Sequence, residues 1–338
     1  MTDPHVPSGG AVVEGWPRGA TPFERRFGNG TTRILTALVA IPVVLSAIWY
    51  GGVPFALLVA VMSTGALMEF YWITEASGAR PMKGIGLVIG MLLLASFVDG
   101  VGEQVVPELQ TASDVALVYA NPQLLLVTGL ILTGTMVVLV LGMYRGNAHP
   151  VRDDIATIAG YIYVSLSMGT LLGLRSSFAN DVMMIDYLNR VAPSLDHATL
   201  GAYAVMAMMA SIWTCDSAAY FAGRAFGRHP LFSRISPRKT WEGGIAGGIG
   251  AVGAMIAAKI WLLPYLTIVD AVLLGLCAGV AGQLGDLAES HLKRDAGVKD
   301  SSQIIPGHGG LLDRFDSLLF VAPLWYIYHL FLVSGLVQ

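Results

Sequence analysis

The chain alternates between long apolar runs and short polar segments. Nine of the runs are about 20 residues long, the length that an α-helix needs to cross a hydrocarbon core of about 30 Å. They cover approximately residues 33–51, 53–73, 84–102, 123–144, 155–174, 199–222, 243–262, 265–286 and 315–336. The pattern predicts an all-α, polytopic integral membrane protein with about nine transmembrane helices.

Composition supports a membrane protein built as one domain. Of the 338 residues, 54% are hydrophobic and only 13% are charged, whereas soluble domains have about 25% charged residues. Residues 1–31 are rich in Gly, Pro and charge, and we expect a flexible cytoplasmic tail there. No domain-separating linker follows, so residues 32–338 are predicted to form a single integral membrane catalytic domain. The two cysteines, Cys215 and Cys277, lie inside apolar runs and are expected to be core thiols.

The distribution of basic residues predicts the orientation in the membrane. Alternate polar segments, starting with the amino terminus, carry 17 of the 20 Lys and Arg residues. The positive-inside rule therefore places the amino terminus in the cytoplasm, and nine spans then leave the carboxyl terminus outside. The net charge of −3 favours neither nucleic acid nor an anionic partner, and we expect no nucleic-acid partner.

Acidic residues at the ends of two apolar runs suggest a metal site. Asp286 ends the eighth run, and Asp313 and Asp316 lie three residues apart at the start of the ninth. Helical spacing puts Glu289, Ser290 and Lys293 on the same face as Asp286. Carboxylates at one membrane depth could hold a hard divalent cation that also binds substrate phosphates. Pairing with nearby Lys and Arg side chains is the alternative.

The segment between these runs could bind phosphate. Lys293, Arg294, Lys299 and Arg314 could contact phosphate groups, although such loops often carry basic residues only as topology determinants. The stretch IPGHGG, Ile305 to Gly310, offers backbone N–H groups and the side chain of His308 to a ligand. A loop histidine is nevertheless more often a bystander than a catalyst.

A second polar constellation surrounds the loop between the sixth and seventh runs. Asp216 lies inside the sixth run, and the loop contains ISPRKTWEGG, Ile235 to Gly244. The side chains of this loop could form an anion-binding turn ahead of the seventh helix. Ordinary helix capping by Thr240 is the alternative. The candidate phosphate contacts in this loop are Ser236, Arg238, Lys239 and Thr240. The glycine-rich stretch that follows, GGIAGGIGAVGA, favours close helix packing over a dinucleotide-binding fingerprint.

These motifs together resemble the phosphatidate cytidylyltransferase family, the CDP-diacylglycerol synthases. The family signature matches at Ser290, Leu292–Arg294, Lys299, Asp300, Pro306, His308–Gly310 and Asp313–Asp316. The segments DSAAYFAGRAFG and ISPRKTWEG also resemble motifs of that family, so the motif-level likeness covers residues 211–317. The resemblance implies catalytic roles for Asp286, Lys293, Arg294, Lys299, Asp300, His308, Asp313, Arg314 and Asp316. It implies substrate binding by Asp216, Ser236, Arg238, Lys239, Thr240, Ser290, Gly309 and Gly310, and metal binding by Asp286, Asp313 and Asp316.

The activity that the resemblance implies is the condensation of CTP with phosphatidate to CDP-diacylglycerol and pyrophosphate. It further implies dependence on Mg²⁺, with a second, monovalent ion such as K⁺ left open, an inner-membrane location and a homodimer. The phosphate nucleophile is already ionised at neutral pH, so His308 is assigned to orientation or phosphate contact. Two alternatives are a CTP-dependent polyprenol or phytol kinase and, in another class, a membrane transporter.

Overall fold

The computed structural model of the chain describes residues 29–98, 122–180, 182–305 and 308–333. Its helices in the amino-terminal half are α1 Asn29–Tyr50, α2 Gly52–Ala76, α3 Lys83–Ala95, α4 Pro122–Met143, α5 Pro150–Gly160, α6 Ser167–Asn180 and α7 Val182–Val191. A π-helical segment, Tyr161–Leu166, joins α5 to α6. The carboxyl-terminal half contains α8 His197–Phe226, α9 Trp241–Trp261, α10 Ile268–Asp295 and α11 Leu312–Val333.

Eight helical stretches in the described residues are long and apolar enough to cross a membrane. One of them is the continuous 31-residue stretch Pro150–Asn180, which contains α5, the π-helical segment and α6. The third predicted span, 84–102, corresponds to the 13-residue α3, which ends at Ala95, and positions 99–102 of that prediction lie outside the described residues. The prediction of an all-α, polytopic membrane protein is therefore confirmed.

Two local differences from the prediction concern a hairpin and the amino-terminal tail. Strands β1 Pro230–Phe232 and β2 Ser236–Thr240 form an antiparallel hairpin between α8 and α9, with Pro230 opposite Thr240. Of the predicted tail, residues 1–31, positions 1–28 lie outside the described residues. Its last three residues belong to α1, because the helix begins at Asn29.

Small residues allow α8, α9 and α10 to pack closely. A Cβ atom on Gly247 would lie 2.9 Å from the carbonyl oxygen of Cys215 in α8, and one on Gly279 would lie 2.8 Å from the Cα of Gly248. Larger side chains at these positions would separate the helices. This confirms the packing interpretation of the glycine-rich stretch, and both cysteines are free thiols as expected.

The two halves of the protein share one core. Helix α6 packs against α8 and α11, and α2 also contacts α11. The largest fully buried side chains come from both halves and include Tyr71 in α2, Phe178 in α6 and Trp325 in α11. Apolar side chains such as Leu38 and Ile249 are instead exposed on the outside of the bundle, as expected for a surface that faces lipid. The arrangement brings the end of α10 and the start of α11 against α2.

Candidate active site

A polar cavity of about 350 Å³ lies where α10 ends and α11 begins. Its lining contains five carboxylates and four cationic side chains, in a chain with only 13% charged residues. The lining residues are Asp216, Asp286, Ser290, Lys293, Arg294, Lys299, Asp300, Asp313, Arg314, Asp316 and Ser317. The structure thus brings together eight of the nine predicted catalytic residues, all except His308, with two predicted substrate-binding residues, Asp216 and Ser290.

The carboxylate of Asp286 connects the cavity to the β-hairpin. Its Oδ2 lies 2.6 Å from the ammonium nitrogen of Lys239, at the end of β2. Its Oδ1 accepts a hydrogen bond from the hydroxyl of Ser290, one turn along α10, at 3.3 Å. The ion pair places one residue of the ISPRKT motif at the cavity, although 46 positions separate Lys239 and Asp286 along the printed sequence. The ion pair therefore brings the two motif regions together at Lys239.

Lys293 is held between two carboxylates. Its ammonium group donates to Oε2 of Glu289 at 2.7 Å and to Oδ1 of Asp313 at 2.6 Å. Glu289 is fully buried and Lys293 is only 8% exposed, so water screens these charges weakly. An ammonium has three N–H donors, two of which contact these carboxylates, and Lys293 also lines the cavity. The third donor can therefore reach a bound phosphate.

Asp313 also organises the loop between the last two helices, residues 296–311, which we call the α10–α11 loop. Its Oδ2 accepts hydrogen bonds from the backbone N–H of Ser301 at 3.0 Å and of Gly310 at 2.9 Å. The Ser301 hydroxyl also lies 3.0 Å from this oxygen, but its one hydrogen is shared with a closer carboxylate oxygen of Glu69 at 2.8 Å. Both oxygens of this carboxylate thus already have donors within the protein. Of the three predicted metal ligands, Asp313 has the least capacity left for a cation.

The remaining predicted site residues lie outside the cavity lining. Thr240 caps α9 by accepting a hydrogen bond from the N–H of Gly243 at 3.2 Å, which is the capping alternative. Gly309 has φ +80°, a conformation that favours glycine, and Gly310 leaves room for a carboxylate from α2. These two glycines shape the loop, and the roles in substrate binding predicted for Gly309, Gly310, Ser236, Arg238 and Thr240 stay predictions.

His308 also lies away from the cavity lining. Its backbone N–H donates to the carbonyl of Ile305 at 2.9 Å. Its Nδ1 is buried and has no hydrogen-bond partner among the described residues, which exclude positions 306 and 307. The predicted role of His308 in orientation or phosphate contact stays a prediction, and the motif residue Pro306 lies outside the described residues.

Sequence reasoning missed the contribution of the amino-terminal half to this site. Glu69 in α2 is fully buried, and its carboxylate contacts the α10–α11 loop and the start of α11. Tyr163, in the π-helical segment, packs its ring against Phe70 and Phe320 at centroid distances of 5.8 and 6.0 Å. The signal for Glu69 was present, because an ionisable residue within an apolar span needs a compensating partner. The partner itself could not be read from the sequence.

The residues around the cavity fit a divalent cation that binds together with a substrate. Asp216, Asp286 and Asp316 line the cavity and lie within electrostatic range of one another. Among the described residues, no three His, Cys, Asp or Glu side chains are grouped closely enough to hold a metal by themselves. Mg²⁺ is usually held by one or two carboxylates, water and substrate phosphates, so the donor set suits it.

The fold and the cavity define a class: a polytopic membrane enzyme whose site can hold phosphates and a cation. Comparison with known sequences identifies the family within that class. The sequence model of the cytidylyltransferase family matches residues 31–332, and the chain belongs to this family. It is therefore a nucleotidyltransferase.

Similar curated proteins agree with this family over most of the chain. The phosphatidate cytidylyltransferase of Synechocystis sp. is 34% identical, over 90% of this chain and 98% of its own length. The phosphatidate cytidylyltransferase of Bacillus subtilis is also 34% identical, over 87% of this chain and 95% of its own length. The one from Brucella suis is 32% identical, over 89% of this chain and 93% of its own length.

Proposed function

We propose that the chain is a phosphatidate cytidylyltransferase, which transfers the cytidylyl group of CTP to phosphatidate in phospholipid biosynthesis. The observation that carries the proposal is the mixed-charge cavity at the junction of α10 and α11. It gathers nearly all the charged residues of the signature, which come from α10, the α10–α11 loop and α11, together with Asp216 from α8. The names of the similar proteins support phosphatidate as the acceptor.

The reaction joins two anions in a single displacement. A phosphate oxygen of phosphatidate attacks the α-phosphorus of CTP, a new P–O–P bond forms, and the bond to the β-phosphate breaks. The bonding electrons leave with pyrophosphate, and CDP-diacylglycerol is the other product. Because the attacking oxygen is already ionised at neutral pH, the site has to neutralise and align charge more than it has to remove a proton.

The cationic residues of the cavity are suited to hold the phosphate groups. Arg294, Lys299 and Arg314 line the cavity with exposed side chains, and they can neutralise the incoming triphosphate and the leaving pyrophosphate. Lys293 is fixed between two carboxylates and offers a point charge at a defined position. We expect the exposed cations to contribute more to binding, and Lys293 more to alignment.

The carboxylates of the cavity are suited to hold Mg²⁺. We place the cation at Asp286 and Asp316, with Asp216 nearby, because these side chains line the cavity. When bound, Mg²⁺ would offset the negative charge of the phosphates. Magnesium dependence and a second, monovalent ion such as K⁺ are both tested by titrating each cation into the purified enzyme while turnover is measured.

The position of the label in CTP tests the reaction directly. Purified protein in phosphatidate-containing micelles is given CTP that carries ³²P at either the α or the γ position, together with Mg²⁺. We expect the α label to appear in the lipid product and the γ label to appear in pyrophosphate. Transfer of the γ label to a lipid alcohol, with release of CDP, would instead identify the kinase alternative and overturn the proposal.

We further propose that the cavity faces the cytoplasm of the cell from the inner membrane. The proposal rests on the basic segments: a guanidinium N–H of Arg145 donates to the carbonyl of Arg80 at 2.8 Å, and Lys239 pairs with Asp286 at the cavity. A cysteine at the exposed Ile304, in a background without the native cysteines, should react with an impermeant reagent only from the inner side. A cysteine at Arg190 should react only from the outer side, and the reverse pattern would contradict this orientation.

The oligomeric state is also a proposal. The resemblance to the family implies a homodimer, which light scattering of the detergent-solubilised protein measures directly. A mass of two chains after correction for detergent is the expected result, and a mass of one chain would contradict it.

A further inference from the structure

Glu69 is a membrane-embedded carboxylate that the chemistry described above does not use. It lies in α2, it is fully buried, and it is absent from the lining of the cavity. A charged group within a membrane span is costly, so it requires compensating contacts. Its partners all lie more than 200 positions away along the chain.

Four hydrogen bonds attach this carboxylate to the site region. Oε1 accepts from the hydroxyl of Ser302 at 2.6 Å and from the N–H of Leu311 at 2.9 Å. Oε2 accepts from the hydroxyl of Ser301 at 2.8 Å and from the N–H of Leu312 at 2.7 Å. One carboxylate thus contacts Ser301 and Ser302 within the α10–α11 loop and also the N–H groups at the junction of that loop with α11.

A charge at this point also suits the start of α11. The N–H groups of Leu311 and Leu312 lie at the amino terminus of that helix, where unpaired donors and the helix dipole favour a negative group. The neighbouring Gly310 leaves room for the carboxylate, because a Cβ atom there would collide with it. A glutamine would keep the size of the side chain. Its NH₂ group would replace one carboxylate oxygen, however, and could not accept the two hydrogen bonds that this oxygen accepts.

A short chain of contacts leads from Glu69 to the cavity. The hydroxyl of Ser301 contacts Oε2 of Glu69 and also Oδ2 of Asp313 at 3.0 Å. The other oxygen of Asp313 accepts from Lys293 at 2.6 Å, and both of these residues line the cavity. Displacement of the loop would therefore move Asp313, and with it the ammonium group of Lys293.

We infer that Glu69 is a positioning residue for the transferase reaction: from the second helix it fixes the α10–α11 loop, and thereby the Asp313–Lys293 pair, in the geometry that the reaction needs. This inference rests on the proposed function. Since Glu69 contacts no reacting group, its loss should lower kcat far more than it raises KM for CTP.

The test compares Glu69→Gln with a matched control in the same helix. Ser63→Ala also removes a fully buried polar group from α2, but the described partner of Ser63 is Ser165, which lies outside the site. Both variants are purified as monodisperse protein. The rate constant kcat is measured per folded molecule, together with KM for CTP. Glu69→Gln should lower kcat by about 100-fold, the cost of a displacement of about 1 Å at a reacting centre. Ser63→Ala should leave kcat close to that of the unchanged protein.

A spin label supplies a readout that does not depend on the reaction. The label is attached to Ile304→Cys, whose side chain is exposed in the α10–α11 loop, in a background without the native cysteines. We expect greater label mobility with Glu69→Gln and unchanged mobility with Ser63→Ala. If the unchanged protein formed no CDP-diacylglycerol, the proposed function would fail, whereas the spin label would still test the loop contact.

A milder variant keeps the inference testable if Glu69→Gln does not fold. Ser302→Ala removes one of the four hydrogen bonds to Glu69 and should give a smaller decrease in kcat. This variant is judged by kcat and not by label mobility, because the Ser302 hydroxyl also accepts from the N–H of Ile304 at 3.1 Å. Unchanged kcat in every variant that folds would overturn the inference, as would a lower melting temperature with normal kcat. An immobile label in Glu69→Gln would overturn it as well.

Discussion

The two ends of the α10–α11 helix pair both contain polar residues, but they are built differently. At the end away from the cavity, Asp270 and Thr267 form a capping box, and the hydroxyl of Tyr328 donates to Asp270 at 2.6 Å. His329 lies between the hydroxyl of Tyr265 at 3.1 Å and the carbonyl of Trp325 at 2.8 Å. Each of these groups has a partner within hydrogen-bond distance, so this end has the character of a structural network.

The cavity end gathers more charge than it neutralises through direct contacts. Asp286 and Asp313 each have a lysine partner, while Asp216 and Asp316 face the same cavity and add further negative charge. Arg294 and Lys299 are exposed at its edge. The comparison teaches that a polar residue in a span does not identify a site by itself. The cavity and the like charges beside it distinguish Asp286 from Asp270.

The largest expected effect is the loss of a cavity carboxylate. Asp286→Asn and Asp316→Asn each keep the size of the side chain and remove its charge, so the cation and the phosphates would lose a partner. We expect cytidylyl transfer to fall at least about 100-fold, which corresponds to about 2.7 kcal/mol of transition-state stabilisation. Initial rates across a Mg²⁺ titration measure it. Near-normal rates for both variants would show that these carboxylates are structural.

A smaller loss is expected when the shape of a fixed cation changes. Lys293→Arg keeps the charge but puts a planar guanidinium into the space between Glu289 and Asp313, where an ammonium now lies 2.7 and 2.6 Å from their oxygens. We expect kcat to fall about tenfold, or about 1.4 kcal/mol. Arg294→Lys is the matched exchange at an exposed neighbour and should have the smaller effect. If both variants had the kinetics of the unchanged protein, these cations would only determine the orientation of the chain in the membrane.

The smallest effect on activity is expected at the opposite end of the helix pair. Tyr328→Phe removes the donor to Asp270 and should lower stability by about 1–3 kcal/mol, because a buried acceptor loses its partner. The melting temperature should fall while kcat per folded molecule stays unchanged. A large decrease in kcat without a change in melting temperature would erase the distinction between the two ends.

The parts of the site that follow from helical periodicity could be predicted from the sequence. Asp286, Ser290 and the pair Glu289–Lys293 lie on one face of α10, and the hydrogen bonds within this helix agree with that spacing. The order of apolar runs likewise predicted the helices, because a span must satisfy its own backbone groups.

The parts that depend on distant contacts could not be predicted. The pairing of Lys239 with Asp286 depends on how the hairpin folds back towards α10, and the contact of Glu69 with Ser301 depends on how the two halves pack. The sequence predicts Gly309 and Gly310 as phosphate contacts, because a glycine-rich stretch offers its backbone N–H groups to a ligand. The place of Gly310 in the structure depends on the carboxylate of Glu69, from a helix that is remote in sequence, whereas Gly309 lies beside Asp313.

The location of bound CTP tests the central claim most directly. A photoreactive CTP analogue is bound to the purified protein with Mg²⁺, irradiated and mapped by mass spectrometry, with unlabelled CTP as competitor. If the cavity is the active site, adducts should fall within the peptides that contain Asp216, Lys239 or residues 286–317 and should disappear with the competitor. Competed adducts confined to the opposite end of the helix pair, around Asp270, would contradict the account.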